Sequence, residues 1–177
     1  MAGLQSLQGG FIVLNGRDVH AMSSAERAQA LAFVASTPPR TSQLRVVEVL
    51  NLAASNAEQV SEVLAQYGDL EWAQQRMDAL SDGQAQRVMF ARAVLQGTPW
   101  IFMDEPTAFL DVPGRKAFWT HAVEVTGQGT TLVLATHDYE QLAGEIQPSS
   151  VHLIEAKNIF ALDPRETPSQ WTERMER

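Results

Sequence analysis

The chain has 177 residues, 45% of them hydrophobic, with few glycines and prolines, which fits one globular domain with a genuine core. Its net charge of −8 argues against nucleic acid as a partner, because backbone phosphates must be neutralised by Lys and Arg, here a minority and nowhere clustered. The lack of cysteine excludes a disulfide framework, a thiol nucleophile and a Cys-ligated metal, and no apolar stretch approaches the roughly 20 residues of a membrane-spanning helix, so membrane contact would come through a partner.

In chain order, the opening residues have neither a basic region nor an apolar run and do not read as a signal peptide. Gly9-Gly10, then Phe11-Ile12-Val13-Leu14, then Asn15-Gly16 read as turn, short strand, turn, the pattern of a sheet interior rather than a frayed end. Residues 23–32 suggest a short helix capped by Ser23, with Glu26 three positions on. Phe33-Val34-Ala35 is a brief strand, ended by Pro38-Pro39, which removes two backbone donors. Between residues 44 and 67 apolar residues recur at helical spacing and predict two helices with a break near Ser55-Asn56.

The best-defined helix covers residues 81–96. Ser81 and Gln84 form a capping box, Val88, Ala91 and Leu95 share a face, and Gly97 and Pro99 end the helix. Trp100-Ile101-Phe102-Met103 is an all-apolar run stopped by Asp104-Glu105, as expected of a strand buried on both faces of a parallel sheet. Residues 130–136 repeat that form and end at His137-Asp138, with a helical pattern over 114–125 between, so the two strands are parallel. Residues 151–162 read as a hairpin, and Pro164 onward as a polar helical or loose end.

Open parallel sheets bind ligands beyond the carboxyl ends of their strands, where this chain places Asp104-Glu105 and His137-Asp138. Two adjacent carboxylates there suit metal-assisted phosphoryl transfer, one holding Mg²⁺ and the other polarising a water; alone, the pair decides nothing, because ordinary solvated residues capping strand ends are the commoner case. Ser81-Asp82-Gly83-Gln84 opens a helix, whose first turn leaves amide donors unpaired and carries partial positive charge, an anion site by construction; alone, it reads first as an ordinary capped helix, since capping boxes are common.

Order and combination carry more. Leu80-Ser81-Asp82-Gly83-Gln84, then Arg87, then a strand ending Met103-Asp104-Glu105-Pro106-Thr107, then Leu110-Asp111, then a strand ending Thr136-His137-Asp138 resembles the ATP-binding-cassette (ABC) ATPases over nearly the whole chain. The resemblance implies an α/β, P-loop NTPase-like parallel sheet forming a single domain over 1–177, with a helical subdomain at about 40–96. It implies ATP and Mg²⁺ as cofactors. Asp104 would hold the metal through water, Glu105 would be the catalytic base and His137 the switch histidine. Ser81, Gly83, Gln84 and Asp111 would meet the ATP or the interface of a second ATP-binding subunit, arranged head to tail. Transmembrane permease subunits would complete the assembly at the cytoplasmic face of the membrane, with no nucleic acid. The wording from Asp104 to Asp111 resembles the branch that imports iron chelates, haem or cobalamin. Asp82 departs from the family by replacing a glycine, and Ser36 stands where a glutamine is usual, with Gln43 a nearby substitute.

One family element is not in the sequence: no Gly-x-x-x-x-Gly-Lys-Ser/Thr loop occurs, although phosphate binding in this class needs one. Met1-Ala2-Gly3-Leu4 resembles the end of the helix that such a loop opens, so the chain as written would not hydrolyse ATP alone. A start placed too late, a true truncation, and a partner that only lends its signature helix are the three readings that follow.

Overall fold

The computed structural model describes residues 9–39, 43–137, 148–155, 158–167 and 169–171, in two compact units that divide after Ala135. The first opens on a ribbon. β1 (Val13–Leu14) and β2 (Arg17–Asp18) pair antiparallel around Asn15 and Gly16, at φ of 51° and 78°, the left-handed pair that a two-residue type I′ turn demands. Alternation puts Leu14 inward, clustered with Val19 and Leu31 and packed by Ile12, Trp100 and Phe102, while Phe11 and Val13 stay exposed. This segment is a two-stranded ribbon lying on a sheet, not the sheet interior its sequence suggested; its strands of two residues each offer too few ladder bonds for a central place.

α1 (Ser24–Ala30) runs directly into β3 (Leu31–Val34). β3, β4 (Trp100–Asp104) and β5 (Thr131–Ala135) make a parallel sheet with β4 in the middle. Between β3 and β4 the chain makes a helical excursion: α2 (Val46–Asn51), α3 (Ala57–Tyr67), 3-10 turns at Leu70–Trp72 and Met77–Ala79, and α4 (Asp82–Leu95). α5 (Val112–Gly127) is the crossover that makes β4 and β5 parallel.

Burial corrects one expectation. Ile101 and Met103 of β4 are sealed, at 1% and 2% exposure, but Trp100 and Phe102 on the other face are only half-buried; among the described residues they pack against the short ribbon and the junction of α1 with β3. β5 is half-buried along its centre and exposed at Thr131 and Ala135.

The helix side is knit by aromatic edges: Tyr67 to Phe90 at 5.4 Å, Phe90 to Phe118 at 5.3 Å and Phe118 to Trp119 at 4.9 Å between ring centres. Each such pair contributes about 0.5–1.5 kcal/mol beyond simple burial. α4 is the hub, burying Ala85, Val88 and Ala91 together with Gln86, Phe90 and Ala93. Its far end is pinned by Gln96, whose Nε2 donates to the carbonyls of Ala28 at 2.7 Å and Leu31 at 3.2 Å. Gly97 at φ 64° then ends the helix in the left-handed form.

The second unit contains the antiparallel hairpin of β6 (Val151–Glu155) and β7 (Asn158–Leu162), as the sequence predicts. The tail beyond it is less polar than expected: Trp171 is buried, and its indole N–H donates to the Asp163 carbonyl at 3.0 Å.

Candidate functional site

β4 delivers Asp104 to the carboxyl edge of the sheet, in register with Ala135 of β5. Glu105 is the first residue off the strand. Its backbone turns to φ 46°, held there by its amide donating to the Ala135 carbonyl at 2.8 Å and its carbonyl accepting from the Ala108 amide at 3.2 Å. For a residue with a Cβ this conformation costs about 1–2 kcal/mol, so the surrounding loop imposes it. Pro106, Thr107 and Leu110 anchor that loop in the interior, leaving Ala108 and Phe109 exposed and both carboxylates partly exposed.

The second component is the start of α4. Leu80 is buried at 1% exposure and fixes the entry of the chain. Ser81 Oγ accepts from the Gln84 amide at 3.2 Å and Gln84 Oε1 accepts from the Ser81 amide at 2.8 Å, so the predicted capping box is present. Ser81 and Asp82 are exposed, which leaves the positive end of the helix open to solvent.

Gly83 joins the two components. A Cβ there would lie 2.8 Å from the Phe109 carbonyl oxygen and 3.5 Å from Leu110 Cδ2; only glycine lets the first turn of α4 sit on the loop that follows Glu105. Asp111 closes the same loop as the N-cap of α5, its Oδ1 accepting from the Gly114 amide at 2.9 Å. Arg87, one helical turn into α4, donates from Nε to the Tyr67 carbonyl at 3.2 Å and from an Nη to the Gly68 carbonyl at 3.0 Å, with its guanidinium 5.0 Å from the Trp72 ring centre. It ties α3 to α4.

Asp104, Glu105, Ser81, Gly83, Gln84 and Asp111 thus belong to one unit, linked through residues 105–111. His137, exposed and two residues past β5, belongs to the second unit, and Asp138 lies outside the described residues. Ser36 is half-buried just beyond β3 and Gln43 is exposed, with residues 40–42 outside the described ones. So are residues 1–8, including the Met1-Ala2-Gly3-Leu4 segment.

Two participants escaped the sequence reading. Phe109 acts through its carbonyl, which no side-chain pattern signals. Gln86 is 3% exposed and donates from Nε2 to the Ala35 carbonyl at 3.2 Å, binding α4 to the end of β3. A polar residue four positions from Phe90 on an apolar helix face was the available signal.

Among the described residues no group of three His, Cys, Asp or Glu converges to hold a metal. Asp104 with Glu105 fits a cation that takes one or two carboxylates and completes its shell with water and ligand oxygens, the habit of Mg²⁺.

Comparison with known proteins gives a consistent picture. Residues 1–108 match the protein family described as ABC transporter. The chain is 29% identical over 163 residues to the iron(3+)-hydroxamate import ATP-binding protein FhuC of Bacillus subtilis (strain 168), covering 81% of this chain and 58% of that protein. It is 30% identical over 148 residues to the thiamine import ATP-binding protein ThiQ of Haemophilus ducreyi (strain 35000HP / ATCC 700724), covering 80% of this chain and 70% of that protein. A solved ATP-binding subunit of an ABC transporter superimposes with a TM-score of 0.83 at 22% identity, over 99% of this chain and 80% of that one, which establishes the fold. The chain spans little more than half the length of the iron-hydroxamate protein.

Proposed function

The chain belongs to the ABC transporter family, and from that premise we propose that it is the ATP-binding part of an import system, working with a second ATP-binding subunit and with membrane permeases. The observation that carries the reading is Glu105. Of the two non-glycine residues at positive φ among those described, Asn15 makes a hairpin turn, whereas Glu105 sits beside Asp104 at the ligand-binding edge of the sheet. Strain held by the surrounding structure at such a place marks a functional residue.

Bound Mg²⁺ supplies neutralisation of charge building on the transferred phosphate. The protein's contribution is positional. Asp104 would hold the cation through water. Glu105 would accept the proton of the attacking water, and His137 would hydrogen-bond a terminal phosphate oxygen. Ser81, Gly83 and Gln84 would face the ATP of the second subunit, where the helix end and the Ser81 hydroxyl favour an anion, and Asp111 would lie at the interface between subunits. No helix of the described residues is long and apolar enough to cross a membrane, so the permeases would hold the chain peripherally at the cytoplasmic face.

For the solute we propose an iron chelate, haem or cobalamin. The motif wording from Asp104 to Asp111 and the iron-hydroxamate relative support this reading; thiamine, the solute named for the other relative, is the competitor. A second reading, in which the chain only lends its signature helix, is favoured by the solvent-open start of α4.

The test is ATP hydrolysis by this chain mixed with an intact ATP-binding subunit. A gain in turnover that Ser81→Arg removes supports donation, and no gain rejects it. In an assembly that turns over, Glu105→Gln should lower the rate about 100-fold or more; unimpaired turnover removes Glu105 from the base role. Uptake of labelled ferric hydroxamate against labelled thiamine decides the solute.

A further inference from the structure

A pocket lies beside the site, with Met103 and Pro106, the neighbours of Asp104 and Glu105, in its wall. It is lined by residues of α3, α4, α5 and the sheet, including Tyr67, Gln86, Arg87, Phe90, Phe118 and His121. His121 has no part in the activity proposed above. It is half-buried, and its imidazole packs edge-on against Tyr67, 4.9 Å between ring centres and 86° between planes. Tyr67 in turn packs on Phe90. α3 meets α5 through this ring contact and through Gln66 Nε2, which donates to Glu124 at 3.2 Å.

We propose that the His121–Tyr67 contact is a proton-sensitive latch between α3 and α5, shut while the imidazole is neutral and loosened when it takes a proton.

The surroundings give the direction. A neutral imidazole behaves as an aromatic ring with one donor, at home among Phe90, Phe118 and Tyr67. An imidazolium needs two acceptors and a counter-charge. The acceptor already in the pocket, Gln86 Oε1, is buried without a hydrogen-bond partner, so it does not bond to His121 as the side chains stand. The charged and titratable neighbours are Arg87 from α4, Tyr67 from α3 and Glu124 on α5 itself. Arg87 repels a second cation, and Tyr67 is uncharged near neutrality. Glu124 attracts, but it is exposed and already accepts from Gln66, so water screens it. Burial therefore dominates and lowers the His121 pKa; Glu124 opposes it in part and Arg87 reinforces it.

The unfolded chain takes up the His121 proton near pH 6.5 while the folded chain resists it, so stability present above that pH is lost as the pH falls through the lower folded value. α4 keeps its ties to Ala35, Ala28 and Leu31 throughout. What loosens is the attachment of α3 to α5.

The test uses the full chain. In an NMR titration from about pH 8 to about pH 5, the His121 ring proton should move with a midpoint below the ordinary histidine value of about 6.5, and the Tyr67 ring signals should shift with the same midpoint. A midpoint at or above that value, or Tyr67 signals that do not follow, overturns the latch. His121→Phe, which keeps a ring and removes the proton, should reduce the loss of melting temperature between about pH 7.5 and about pH 5.5. If the variant folds and keeps the full loss, the latch is likewise overturned. The wild-type titration decides the matter even where the variant does not fold.

Discussion

Two helices of this chain begin with the same device and do different things with it. α1 starts Ser23-Ser24-Ala25-Glu26 and α4 starts Ser81-Asp82-Gly83-Gln84, each with a complete capping box. In α1 the box is closed by charge. The Ser23 hydroxyl donates to the Glu26 carboxylate at 2.9 Å, and Arg17 bonds the other oxygen of Glu26 at 2.6 Å. The Ser23 hydroxyl and both Glu26 carboxylate oxygens are thus spent locally. In α4 the third position is a neutral amide, no acceptor among the described residues takes the Ser81 hydroxyl hydrogen, and the second position is a glycine seated on Phe109. A capping box therefore says only where a helix begins. Whether the beginning is a finished structural joint or an open anion-facing end depends on the charge at the third residue and on what the second residue touches.

The sharpest way to break this contrast is at the second position. Gly83→Ala would put a Cβ 2.8 Å from the Phe109 carbonyl, closer than backbone tolerates, so α4 or the 105–111 loop must move. A loss of about 1–3 kcal/mol is expected from such overpacking, read as a lower denaturant midpoint at unchanged slope. The matching change Ala25→Gly, at an exposed position with no such neighbour, should cost no more than about 1 kcal/mol, the glycine entropy penalty. Equal costs at the two sites would mean that Gly83 is an ordinary first-turn residue.

Next in size is the cap itself. Ser81→Ala and Ser23→Ala should each cost about 1 kcal/mol of stability, the usual value of a serine cap, by equilibrium unfolding. Only Ser81→Ala should also reduce the turnover of the mixed assembly. If Ser23→Ala lowers turnover equally, the two helix starts share a purely structural role.

Local features of this comparison were legible in the sequence, and non-local ones were not. Both capping boxes, the Asn15-Gly16 turn and the Gly97 stop follow from residues a few positions apart, and the structure has all of them. The sheet followed from two apolar runs separated by a helical pattern, although its sealing did not, because Trp100 and Phe102 pack against the ribbon and the junction of α1 with β3, far away in sequence. The seat of Gly83 on Phe109 and the left-handed turn at Glu105 were invisible for the same reason. Each is set by a partner, Phe109 or Ala135, 26 and 30 residues away in sequence. The family resemblance assigns Gly83 to the ATP or interface of a second subunit; the structure gives it a duty to its own loop.

A smaller effect separates the two helices by pH. The hydrogen bond from Arg17, with those from the Ser23 backbone and hydroxyl, holds the Glu26 pKa down at about 2. A carboxylate that is more acidic folded than unfolded stabilises the fold above its unfolded value, and that contribution is lost as the pH falls through about 2. Glu26→Gln should therefore flatten the acid limb of a melting-temperature profile between about pH 4.5 and about pH 2. The difference should shrink in high salt, since the pair with Arg17 is exposed. Gln84 has no proton to lose, so Gln84→Ala should shift the whole profile without changing its shape; a change of shape there would mean that the α4 capping box is coupled to a titrating group, as the α1 box is.

The finest discrimination lies at the first helical residue, where α4 has Asp82 and α1 has Ser24. A carboxylate in the first turn interacts favourably with the positive helix end by about 0.3–1 kcal/mol. That same charge opposes any outside anion approaching the end that Ser81 leaves open. Asp82→Ser makes α4 match α1 at this position and separates the two effects. Stability should fall by about 0.3–1 kcal/mol, while the ATP concentration for half-maximal turnover in the mixed assembly should drop about two- to five-fold, the same energy now favouring the ligand. Added salt should narrow the gap between variant and parent, because the repulsion acts through solvent. An unchanged or higher ATP requirement would show that no phosphate comes near the start of α4, and the resemblance between the two capping boxes would then be complete.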